Sequence, residues 1–89
     1  MMKLTRFWFE FDKDNRPMSV GLGCGVTGWS YDDAINILKQ TIFKDIPFPQ
    51  IKNVDENVDV STLDKGHVLP NMLPPSERGI WYPIGYAFW

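Results

Sequence analysis

Across 89 residues, 9 Lys+Arg stand against 11 Asp+Glu for a net charge of −2, and the basic residues are scattered from Lys3 to Arg78. Without a basic stripe, nucleic acid and an anionic membrane surface are not expected partners. One cysteine, Cys24, cannot close an intramolecular disulfide, and Arg6, Glu10 and Asp12 interrupt the apolar opening MMKLTRFWFEFD, so no signal-peptide core or membrane span is expected and a cytoplasmic protein is.

A chain of this length makes one domain, residues 1–89, and its 4 Trp, 3 Tyr and 6 Phe can fill one core. The run KLTRFWFEFD alternates, with Thr5, Phe7, Phe9 and Phe11 on one face and Arg6, Trp8 and Glu10 on the other, as a strand does. DKDNRP reads as a turn. MSVGLGCGVT then alternates Met18, Val20, Leu22, Cys24 and Val26 with Ser19, Gly21, Gly23 and Gly25, which predicts a β-hairpin whose apolar faces coincide.

The period changes in WSYDDAINILKQTIFKD, where Tyr31, Ala34, Ile35, Leu38 and Ile42 recur at helical spacing. Ser30 is the expected N-cap, Asp32 and Asp33 suit the positive end of the helix, and Pro47 and Pro49 are expected to stop it. Val58 and Val60, alternating with Asn57, Asp59 and Ser61, predict a third strand exposed on one face. In STLDKGHVLPNMLPPSERG, turn formers and Pro70, Pro74 and Pro75 are interspersed with Val68, Leu69, Met72 and Leu73. This predicts a long ordered loop clasped to the domain. RGIWYPIGYAFW, interrupted by Pro83 and Gly85, fits an edge strand. The expected fold is α+β: an N-terminal β-hairpin, one amphipathic helix on a small, mainly antiparallel sheet, a proline-rich loop and a C-terminal edge strand.

GCGVTG matches the glycine spacing of dinucleotide-binding turns, but Gly28 precedes the Ser30 cap instead of lying inside the helix. The strand also follows a hairpin and opens no βαβ unit. The glycines are better read as a bare strip beside Trp8, under an aromatic ring or another backbone. Cys24 shares its parity with core residues and reads as a buried thiol. Asp64 and His67, three residues apart, fit either a general base with its orienting carboxylate or a turn that Asp64 closes over Lys65 and Gly66. A metal would need further ligands, and the chain has no second histidine; neither metal nor cofactor is expected. Asp55, Glu56, Asp59 and Asp64 form an acidic set that reads as a solvated face or as a docking surface for a basic partner.

The blocks GLGCGVT, YDDA and VSTLDKGHVLPNM, with RGIWYP after them, resemble a family of small bacterial proteins of unknown function. The resemblance runs along nearly the whole chain and implies a kind of protein without implying a reaction. In size, acidity and aromatic content the chain is also similar in character to immunity proteins that neutralise toxins. Two functional readings follow. The first is a non-enzymatic interaction module for a protein partner or a second copy, with Trp8, Trp81 and Trp89 as its candidate contacts. The alternative is a small enzyme or ligand-binding protein, with Asp64 and His67 at the rim of a pocket beneath the loop and Arg78 available to an anionic group.

Overall fold

Alternation in the first segment produces a strand with two different faces, and both are buried. The computed structural model describes residues 3–12 and 21–83. Strand β1 spans Thr5–Phe11 and pairs antiparallel with β2, Cys24–Gly28, placing Phe7 opposite Val26 and Phe9 opposite Cys24. The expected coincidence of apolar faces is therefore present. Leu22, expected in the same core, is instead 44% exposed, because the backbone at Gly23 takes φ +122° and breaks the alternation before Cys24. Met18 and Val20 lie outside the described residues.

Helix α1, Tyr31–Gln40, covers that apolar face with Ala34, Ile37 and Leu38, joined by Phe7, Phe9, Phe11, Cys24 and Val26 from the sheet. Its start is as expected: the Ser30 hydroxyl accepts the Asp33 N–H at 3.1 Å, satisfying one of the donors that open a helix. Its end comes well before Pro47. Thr41 donates its hydroxyl to the Ile37 carbonyl at 2.7 Å, and Ile42 and Phe43 turn back into the core. Burial of those two side chains ends the helix without help from proline.

β3 spans Ile51–Glu56, earlier than the Val58 and Val60 alternation suggests, and pairs antiparallel with β1. Asn57, at φ 56°, ends it in a conformation asparagine tolerates better than most residues. Val58 then turns to the opposite face of the sheet, and Val60 enters a short 3-10 turn. β4, Gly79–Tyr82, pairs antiparallel with β2, completing a four-stranded sheet in the order β3-β1-β2-β4. Gly79–Tyr82 is thus an edge strand among the described residues, as the proline after it suggested, and residues 84–89 lie outside them. The fold is α+β, one helix on a four-stranded antiparallel sheet.

Because β3 and β4 are opposite edges, the chain between them must cross a face of the sheet, and α1 already covers one. Three inter-strand gaps amount to about 14 Å, roughly four or five extended residues. Residues 57–78 are several times that length. The surplus forms a cover: Val58, Val68, Val60, Leu63, Met72 and Leu73 close over Trp8 and Trp81 on the face opposite the helix. Hydrogen bonds fix it, from the Leu73 N–H to the Trp81 carbonyl at 2.9 Å and from the buried Thr27 hydroxyl to the Pro75 carbonyl at 2.6 Å. The proline-rich segment is the ordered, clasped loop that its apolar anchors predicted.

Candidate interaction surface

Trp8 and Trp81 were expected on an exposed aromatic patch, and the fold corrects this. They are 4% and 1% exposed, their rings tilted against each other with centroids 5.9 Å apart under the loop cover. The polar-looking parity of β1 misled the reading, because the cover that turns that face into a second core comes from a segment some fifty residues away in the chain. Two glycines of the strip are accounted for: a side chain at Gly23 would meet the Phe9 carbonyl at 2.6 Å and the Trp8 ring at 2.8 Å, and one at Gly25 would collide with the Trp81 ring. The Trp81 indole N–H is buried with no acceptor among the described residues. Trp89 lies outside the described residues.

Asp64 closes a turn. Its Oδ1 accepts the Gly66 and His67 amides at 2.8 and 2.9 Å, and its carbonyl accepts the Val68 and Leu69 amides. Those amides, Gly66 first, hold its carboxyl below the usual range. The His67 Nδ1 lies 3.3 Å from the same oxygen, and its side chain is 75% exposed. Neither residue lines the depression of about 220 Å³ that opens between Leu73 and Pro74 on one side and residues 77–81 on the other. The expected pocket rim is therefore corrected: Asp64 and His67 form an exposed turn.

Arg78 is engaged within the fold. Its Nε and Nη2 donate to the two oxygens of Asp33 at 2.9 and 2.6 Å, a bidentate pair between residues 45 apart in sequence. That guanidinium holds the Asp33 carboxyl below its ordinary range, aided by the Trp29 amide, which donates to Asp33 Oδ2 at 2.9 Å. One carboxylate thus ties together the end of β2, the first turn of α1 and the approach to β4.

This junction displays two aromatics whose exposure the sequence did not predict: Trp29, and Tyr31, which was expected on the apolar stripe of α1. Trp29, immediately before the helix cap, is 44% exposed, and Tyr31, immediately after it, is 39% exposed. The Tyr31 ring leans on Phe7 and Phe9 at 6.4 and 6.0 Å, so part of it is anchored in the core while the remainder faces outward. The available signal was positional: a residue just outside an N-cap sits where the chain turns at the surface. Arg78, a candidate from the sequence, is joined to the Trp29 backbone through the shared Asp33.

The other chemistry-bearing residues are accounted for by packing. Cys24 is 0% exposed, and burial pushes its thiol far above the ordinary range, which removes the thiolate a nucleophile needs. In the acidic set, Asp59 caps the 3-10 turn by accepting the Ser61 amide and hydroxyl at 3.0 and 2.7 Å, while Asp55 and Glu56 sit exposed on β3. Among the described residues no group of three or more His, Cys, Asp or Glu could hold a metal ion, and no helix is long and apolar enough to cross a membrane. Comparison with family models, with curated proteins and with solved structures finds no match.

Proposed function

We propose that this chain is a non-enzymatic protein-interaction module that engages a protein partner, or a second copy of itself, through the corner formed by Trp29, Tyr31 and Arg78. The observation that carries the reading is the exposure of two aromatic side chains on backbone that is rigidly fixed. Asp33 pins the Trp29 amide and Arg78, and Ser30 caps the helix between the two rings. Trp, Tyr and Arg are residue types that dominate binding energy at protein interfaces, and aromatic side chains held in place lose little freedom on binding. The buried tryptophans Trp8 and Trp81 serve this reading only by holding the sheet that carries the corner.

Site-specific photo-crosslinking in the native cell tests it. A photoreactive side chain at position 29 is expected to give a discrete adduct that one at Lys65, in the exposed Asp64 turn, does not, and Tyr31→Ala is expected to weaken it. Equal labelling from both positions, or none from position 29, overturns the proposal. An adduct with the mass of two chains identifies the partner as a second copy.

A further inference from the structure

Resting on the corner as an interaction surface, we infer that its partner presents a basic side chain, lysine or arginine, to Trp29, between the carboxylates of Asp32 and Glu77. The charge of the corner is the starting point. Asp33 and Arg78 neutralise each other in their bidentate pair. Asp32 and Glu77, next to them in the chain, are exposed and have no hydrogen-bond or ion-pair partner among the described residues. Two carboxylates outside that ion pair thus stand close to the exposed indole along the chain, Asp32 three residues after it and Glu77 next to the Arg78 that shares Asp33 with the Trp29 amide.

That combination selects for a cation. An ammonium or guanidinium is drawn to the face of a tryptophan ring, most strongly when carboxylates complete its surroundings. An anion is disfavoured by the two carboxylates, and the Arg78 guanidinium already has its Nε and Nη2 committed to Asp33. The depression of about 220 Å³ bordered by Glu77 and Arg78 adjoins the corner and leaves room for one long side chain, at roughly 30 Å³ per displaced water.

The experiment titrates the isotopically labelled protein, at low salt, with a short capped oligo-arginine peptide and, separately, a capped oligo-glutamate peptide. It reads the indole N–H resonance of Trp29. A saturable shift with oligo-arginine alone is expected, with affinity falling roughly tenfold in Asp32→Asn/Glu77→Gln and comparably in Trp29→Ala, all variants remaining folded by amide dispersion. Absence of a saturable shift overturns the inference. So does unchanged affinity in the carboxylate variant, or a shift map centred on Asp55, Glu56 and Asp59 instead of the corner. If oligo-arginine fails while the position-29 crosslink persists, the basic partner is rejected and the interaction surface stands; if both fail, both are rejected.

Discussion

Gly25 carries no side chain because the Trp81 ring occupies the space one would fill. Its φ lies outside the left-handed region, so the requirement is purely steric. Gly25→Ala is expected to cost about 1–3 kcal/mol, the range of an overpacked core. In urea unfolding, the double variant Gly25→Ala/Trp81→Leu should lose less than the sum of the single losses, since shrinking the ring removes the collision. Strict additivity would show that ring and glycine are independent. The glycine strip was legible in the sequence, as was the burial of Cys24. What was not legible was which ring lay above each glycine. Trp8 pairs opposite Gly25, yet covers Gly23, and Trp81 reaches Gly25 from the far edge strand. Trp29 carries a local signal, its place just before the Ser30 cap, but its link to Arg78 through Asp33, across 45 residues, is announced by no local pattern.

Helix α1 was readable at its start, because the spacing of Ala34 and Leu38 and the Ser30 cap are local facts, whereas its end at Gln40 falls short of the stop expected at Pro47. Leu38 is 0% exposed in the core between helix and sheet, and Leu38→Ala is expected to cost about 2–5 kcal/mol. The exposed Asn36→Ala should stay within about 0.5 kcal/mol. Thermal or urea unfolding of the pair checks the orientation of the helix: similar losses would mean that it packs on a different face. The edge strands were harder to place, because a strand at an edge is held as much by what covers it as by its own alternation. β3 carries Lys52, Asp55 and Glu56 and a register shift opposite Glu10 and Phe11, features that discourage another strand from adding to it. β4 is short, and its Trp81 carbonyl is taken by Leu73. Both edges are thereby blunted, and the corner at Trp29 is left as the more inviting surface.

At the scale of the whole molecule, three aspartates among the described residues are held below their ordinary range and contribute to the response to acid. Asp33 is held by the Arg78 hydrogen bonds, Asp59 by the Ser61 hydroxyl and Asp64 by the Gly66 and His67 amides. A carboxyl with a depressed folded-state pKa releases its proton more readily when folded. Its stabilisation is therefore fully present above the unfolded value, about 3.9, and is lost as pH falls from there through the folded value. Stability is expected to be level from about pH 6 to 5 on account of these groups and to decline below about pH 4. In Asp33→Asn that decline should be shallower; an unchanged acid limb in urea midpoints measured against pH would show that Asp33 contributes nothing to it. The crossing of the sheet by residues 57–78 has a kinetic corollary. The contacts that fasten this segment, Arg6 to Val58, Thr27 to Pro75 and Asp33 to Arg78, join residues 52, 48 and 45 apart, whereas the β1, β2 and α1 contacts close shorter loops. Closing long loops is entropically dear until neighbouring contacts reward it, so the hairpin and helix should assemble first and the cover and β4 dock afterwards. Core substitutions such as Leu38→Ala should then chiefly slow folding, while Val68→Ala, in the cover, should chiefly speed unfolding; the reverse partition in a chevron plot would mean that the chain closes from its second half.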